Sequence, residues 1–193
     1  MKANTIYASF DGISGNIASS QILSYIKYLS KFYDITVFSL EKIENSKNTK
    51  FIEIYFRENN IRWIKYRYNY NNIFLNISKI FLSNLSLIFL LFNNNFKLIH
   101  LRGFASFFLV FISFISSNSK ILYDIRGFWI KEKVDRFGWN SNNLIIKILN
   151  NVDNYILKKS KKIVTLTNES KNILSKKYNK SIECIPTCVD CSI

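Results

Sequence analysis

A chain of 193 residues, 48% hydrophobic and 16% aromatic, reads as a folded domain and not as a disordered segment. At that length folding buries roughly 70% of the extended-chain surface, so an ordinary core suffices without disulfide or metal staples. With 27 Lys and Arg against 13 Asp and Glu, the net charge of +14 asks for an anionic partner. Nucleic acid is not the expected one: the lysines are scattered, "LKKSKK" at 157–162 is the dense cluster, and no zinc finger or RNA-binding aromatic signature appears. An anionic membrane surface is the other broad class, and a merely solvated basic face is the plain alternative.

Taken in chain order, "NTIYAS" (4–9) is an apolar strand that runs into the polar loop "FDGISGN". A helix follows from Ser19, with Ile22, Ile26, Leu29 and Tyr33 spaced along one face. "ITVFSL" (35–40) is a second strand, "FIEIYFRENN" a helix, and "IRWIKYRY" (61–68) a third strand, closed by the turn "NYNN". The apolar stretch 73–92 is long enough to cross a bilayer, but Asn76, Lys79 and Asn84 interrupt it, which favours a buried or interface-lying helix. "KLIHL" (97–101) is a strand, "FASFFLVFISFI" a helix, "KILYDI" (120–125) a strand, and "RGFWIKEKVDRFGW" a loop or broken helix. A helix from Ser141 carries Ile145, Ile148, Val152 and Tyr155 at helical spacing. "KIVTLT" (162–167), "NESKNILSKKY" and "SIECIP" (181–186) complete the series as strand, helix and strand. Apolar strands alternating with helices imply a Rossmann-like α/β fold, a parallel sheet flanked by helices.

Ligands of such sheets sit beyond the carboxyl ends of the strands. The loops there hold Asp11, Gly12 and Ser14, then His100 and Arg102, then Asp124 and Arg126, then Thr167 and Glu169. Arginines at two successive strand ends suit an anionic ligand, because the guanidinium fork matches phosphate or carboxylate. The alternative for each is a structural ion pair with Asp11 or Asp124. The first loop lacks G-x-G-x-x-G, and Ser39 and Glu41 are the nearest groups that could grip a ribose, so a nicotinamide enzyme is weakly supported and no cofactor is expected. Cys184, Cys188 and Cys191 form one irregular group far from His100, whereas a closed zinc site wants four ligands. No metal is expected, and the cysteines read as small side chains near a strand end.

Four stretches together resemble the amino-terminal half of a family 4 glycosyltransferase of GT-B fold. "YASFDGISGNIASSQILSYIKYLSK" resembles an opening strand, D-G loop and S-Q-bearing helix, and "KLIHLRGFAS" a D-x-I-H-x-R strand end. "ILYDIRGFWIKEKVD" is similar to D-x-R-G-F-W-x-x-E, and "SKKIVTLTNESKNILSKKY" leads to "IPTCVD", similar to I-P-x-x-V-D. The resemblance implies a first domain over 1–186, the start of an interdomain linker over 187–193, and a donor-binding domain bearing E-x7-E that is absent from this chain. It implies retaining transfer of a sugar from a nucleotide-sugar to a glycan or lipid-linked acceptor in cell-envelope polysaccharide synthesis. The expected location is the cytoplasm, against the inner face of the membrane. The alternative is a truncated, inactive remnant or interaction module with the same fold.

The resemblance also distributes roles. Arg102 falls where many relatives place a functional histidine, and Arg126 lies at the next strand end. Arginine cannot act as a general base, so both would bind an anionic acceptor group or stabilise charge on the departing diphosphate. Asp11, Gly12, Ser14, Gln21, His100, Asp124, Glu132, Thr167 and Glu169 are the expected substrate-binding set, the first loop approaching the diphosphate through its amides. Glu132 has the alternative of pairing with Lys131 or Arg136, and Trp129 that of packing in the core.

Overall fold

The computed structural model describes residues 2–187 except 43–45, 69–72, 94, 117, 139 and 141–142. The expected turn at 69–72, the helix start at Ser141, the cysteines at 188 and 191 and the linker beyond 187 therefore lie outside the described residues.

Strands and helices alternate as β1 (Ala3–Ser9), α1 (Asn16–Ser30), β2 (Tyr33–Lys42), α2 (Ser46–Glu58), β3 (Arg62–Tyr68), α3 (Ile73–Asn93) and β4 (Leu98–Arg102). A 3-10 segment (Phe104–Leu109) then leads to α4 (Phe111–Ser116), β5 (Lys120–Ile125), α5 (Trp129–Phe137), α6 (Leu144–Lys159), β6 (Lys162–Thr165), α7 (Asn168–Tyr178) and β7 (Ile182–Cys184). The seven strands form one parallel sheet in the order β3-β2-β1-β4-β5-β6-β7. This is the Rossmann-like α/β fold that the alternation predicts.

The order has a mechanical consequence. From β1 the chain steps outward through β2 to β3, then from β4 it steps the opposite way to β7. Right-handed crossovers in opposite directions put their helices on opposite faces. On one face Ile22, Leu23 and Ile26 of α1 and Ile52 and Phe56 of α2 pack against Tyr7, Ile35 and Val37. On the other, Ile6, Ala8, Phe38, Ile99, Leu101, Ile121 and Ile163 meet Leu87, Phe107, Phe114, Ile130, Ile146, Ile156 and Leu174 from α3 onward. Each fully buried large apolar side chain, such as Phe38 or Phe114, contributes about 1.5–3 kcal/mol by its burial. The α1–α2 layer lies over the β1–β3 side, so the β5–β7 side of that face carries no helix among the described residues.

Two helices turn differently from their sequence patterns. Of the Ile145, Ile148, Val152 and Tyr155 stripe of α6, Val152 packs partly against the core but the other three are exposed, and Ile146, Ile156 and Leu157 are buried instead. Because α6 is apolar on two sides, spacing marked the helix but not its inner face. In α3 Ser83 and Asn84 turn inward: Asn84 donates to the Phe108 carbonyl at 2.8 Å and accepts from the Ile112 amide at 3.1 Å, while Ser83 donates to the Leu109 carbonyl. They satisfy the irregular backbone between the 3-10 segment and α4. Phe81 and Phe89 are left exposed. Among the described residues, no helix is long and apolar enough to cross a membrane.

Candidate functional site

The strand ends at the point where sheet order reverses define the site. Ser9 of β1, Arg102 of β4 and Asp124 of β5 are register partners, so their side chains leave the same face of the sheet. Two residues earlier, Tyr7 and His100 pair in the same way. The ends are tied together: the Gly103 amide donates to the Asp124 carbonyl at 2.8 Å, the Ser106 hydroxyl to the Arg102 carbonyl, and the Phe10 amide to Ser106 Oγ at 3.0 Å.

Beside these ends a groove of about 450 Å³ opens on the face of β5 and β6 that no helix covers among the described residues. Its floor is polar, with His100, Asp124 and Arg126, and Gln21 stands in the wall beside it. Tyr25, Tyr28, Leu122, Val164, Ile185 and Pro186 make its walls. Gln21, Ser24, Tyr25 and Tyr28 recur along α1 at intervals of three, four and seven, one helical stripe. That spacing was readable in the sequence, although Gln21 was the member singled out there.

Electrostatics centre on Asp124, which is 4% exposed. Arg126 places Nε and Nη2 each 2.9 Å from Asp124 Oδ2, and His100 Nε2 lies 3.5 Å from the same oxygen. Burial pushes the Asp124 carboxyl up, but His100, Arg126 and Arg102 together outweigh it and hold the group below its ordinary range. Arg126 thus takes the ion-pair alternative. Arg102 does not: its Nη2 donates to the neutral Gln21 Oε1 at 3.0 Å, and its Nη1 is buried without a hydrogen-bond partner among the described residues. Tyr7 and Tyr25 enclose the His100 ring at centroid distances of 4.7 and 5.9 Å. Burial, reinforced by the Asp124 charge, pushes the Tyr25 phenol up to about 12, so it stays a neutral donor at physiological pH.

The first loop departs from expectation. Glu41, wholly buried at the end of β2, accepts from the Ile13 amide and the Ser14 amide at 2.9 Å each, from Ser39 Oγ at 2.5 Å, and from the Ser14 hydroxyl. An internal carboxylate already occupies the anion-binding amides of this loop, and Ser14 is engaged with it. Gly12 is buried at φ 77°, where a Cβ would stand 2.7 Å from the Leu40 carbonyl, so it serves the close crossing of loop and strand. Asp11 is exposed at the loop tip.

The remaining expected residues stand away from the groove lining. Thr167 is the N-cap of α7, accepting from the Ser170 amide, and Glu169 is exposed in that helix's first turn. Glu132 is exposed in the first turn of α5, its carboxylate folded against Gly127. Trp129 packs on Phe104 at 5.5 Å, the core alternative. Sequence reasoning missed Tyr7, Tyr25, Tyr28 and Ile185 as site residues. Among the described residues no group of three His, Cys, Asp or Glu could hold a metal ion, and Cys184 is a free, half-buried thiol.

No family model matches the sequence, and no curated protein is significantly similar to it. The fold recurs in solved structures. A glycosyltransferase from Rickettsia africae ESF-5 superposes with a TM-score of 0.60 at 20% identity, over 99% of this chain and 44% of that one. The sucrose-phosphate synthase of Thermosynechococcus elongatus gives 0.58 at 12% identity, over 96% of this chain and 48% of that one. A Listeria monocytogenes protein assigned as a UDP-N-acetylglucosamine 2-epimerase gives 0.53 at 11% identity, over 94% and 44%. The chain spans less than half the length of each. At such identities the likeness is one of fold: the chain has the architecture found in part of these enzymes.

Proposed function

We propose that this chain is the acceptor-side domain of a retaining, GT-B-type glycosyltransferase, with the acceptor glycan in the groove between α1 and the ends of β5–β7. The observation that carries the reading is the groove itself, a polar floor of His100, Asp124 and Arg126 under two tyrosine rings, on a fold shared with a solved glycosyltransferase. Tyrosine faces suit the apolar side of a pyranose, and the floor suits its hydroxyls. Residues 1–186 form the domain and 187–193 begin the connection to a second domain, which binds the nucleotide-sugar. Arg102 and Arg126 stabilise negative charge near the leaving diphosphate or on the acceptor, and neither a metal nor an organic cofactor takes part. Asp11, Gly12, Ser14, Gln21, Glu132, Thr167 and Glu169 remain candidates for substrate contact; of these, Gln21 reaches the groove wall.

The acceptor in this reading is a glycan or lipid-linked glycan of the cell envelope, and the domain works in the cytoplasm against an anionic membrane surface. Exposed Phe81 and Phe89 on α3, Phe111 and Ile115 on α4, and Leu144, Ile145 and Ile148 on α6 support it, with the +14 charge. Sedimentation with phosphatidylglycerol vesicles, but not with phosphatidylcholine vesicles, is expected, and Phe81→Glu together with Ile148→Glu should abolish it. Equal recovery of wild type and variant with both vesicle types counts against the membrane role.

For the groove, binding of a panel of oligosaccharides, lipid-linked sugars and nucleotide-sugars is measured on the chain. Saturable glycan binding that Tyr25→Ala weakens is expected, and a panel with no binder refutes the reading. One observation favours the second reading, an inactive remnant or interaction module. The loop that the resemblance brings near a diphosphate is closed by Glu41. Groove-directed glycan binding argues against that alternative.

A further inference from the structure

Charge and hydrogen-bond saturation are uneven across the strand-end cluster. Two guanidiniums, Arg102 and Arg126, face a single carboxylate, Asp124, and Arg126 takes that carboxylate with both Nε and Nη2. Glu41, two strands away, is already engaged by Ile13, Ser14 and Ser39. Arg102 is left with one neutral amide partner and a buried Nη1 that has none among the described residues. Tyr7 is 2% exposed, and its hydroxyl is likewise without a partner; Asp124 Oδ1, an acceptor, is open as well. Native structures almost always satisfy such atoms, with protein, water or ligand, and a buried donor carrying a full charge is the costliest to leave open. The orphans share one sheet face beside the groove, and Arg102 is joined to the groove wall through Gln21.

We propose that Arg102, with the Tyr7 hydroxyl beside it, forms an anion subsite at the inner end of the groove, and that the ligand in the groove is a sugar bearing a carboxylate or a phosphate. The anion follows from the surplus guanidinium and the open donors. The sugar portion follows from the Tyr25 and Tyr28 walls and rests on the function proposed above, whereas the anion subsite stands without it. Arginine suits either oxyanion because its fork presents parallel donors to both.

His100 is the sole histidine of the chain, so its imidazole resonances report on the site without assignment. The chain is titrated with glucose 1-phosphate, glucuronate, glucose and inorganic phosphate, following these resonances and the heat of binding. The sugar anions should bind at least ten-fold more tightly than glucose, and the better of the two identifies the anion as phosphate or carboxylate. Arg102→Gln removes one charge-assisted partner and should weaken the anions by about ten- to hundred-fold, leaving glucose unchanged. Gln21→Glu keeps Arg102 but supplies it with an internal carboxylate; it should weaken the anions similarly without lowering the melting temperature. Equal affinity for glucose and the sugar anions overturns the anion subsite and leaves the glycan groove standing. Inorganic phosphate binding as tightly as the sugar anions supports the subsite and overturns the sugar assignment. Unchanged anion affinity in both variants, or no binding at all, overturns the proposal.

Discussion

Glu41 offers the sharpest test of how this fold is held together. Its carboxylate lies wholly buried between the end of β2 and the first loop, with Oε1 accepting from the Ile13 amide and Ser39 Oγ, and Oε2 from the Ser14 amide and hydroxyl. Glu41→Gln keeps the shape and one oxygen, but it turns an amide –NH2 toward the Ser14 N–H, setting donor against donor. One charge-assisted amide bond is lost and one backbone donor is left open, together about 2–4 kcal/mol. Glu41→Ala strips every acceptor and also leaves a cavity, so it should cost more, about 4–5 kcal/mol. Urea unfolding followed by far-ultraviolet circular dichroism measures both, and the slope with denaturant should stay constant if only the native state is changed. Ser39→Ala removes one donor of the same carboxylate and also the acceptor of the Trp63 indole N–H at 2.8 Å, so it should cost about 1–3 kcal/mol. If Glu41→Gln and Glu41→Ala both fall within about 0.5 kcal/mol of wild type, the carboxylate is not what holds the first loop, and its amides are free for a ligand.

Gly12→Ala should cost more than Gly103→Ala although φ is 77° and 76°, because a Cβ at Gly12 meets the Leu40 carbonyl and one at Gly103 meets open space. The strain common to both is about 1–2 kcal/mol, and thermal melts that rank the variants equally would show that the loop shifts to make room. Lys180 sends its ammonium to the Leu157, Lys158 and Ser160 carbonyls at the end of α6, so Lys180→Met should cost about 1–2 kcal/mol, measured by urea unfolding. Asp124 is held below the ordinary aspartate value of 3.8, so it stabilises the fold above that pH and the contribution is lost as pH falls through the lower native value. Stability measured between pH 6 and pH 3 should therefore fall less steeply in Asp124→Asn than in wild type, and parallel profiles would contradict the assignment.

Much of the architecture is local and so was legible in the chain. Short apolar runs separated by helical spacings dictate parallel pairing, because parallel strands need a crossover and a helix is the usual one. The strand-end rule then brought His100, Arg102, Asp124 and Arg126 to one rim, since register partners on adjacent strands share a face. Placement along a strand says nothing of whom a side chain meets. Thr167 and Glu169 stand at a strand end too, yet one caps α7 and the other faces solvent.

What tertiary structure alone decided are the choices that depend on distant neighbours. Whether Glu41 would hold a ribose or fasten the first loop depends on bonds across 27 and 28 residues, which no local pattern encodes. Which apolar stripe of α6 would be buried was open because both stripes are apolar, and packing against the sheet selected Ile146 and Ile156. Hydrophobic spacing is written along the chain and determined the elements and their order. The satisfaction of each buried polar group is settled only when separate segments meet, and so the pairing of Arg126 with Asp124 and the open donor of Arg102 belong to the folded molecule.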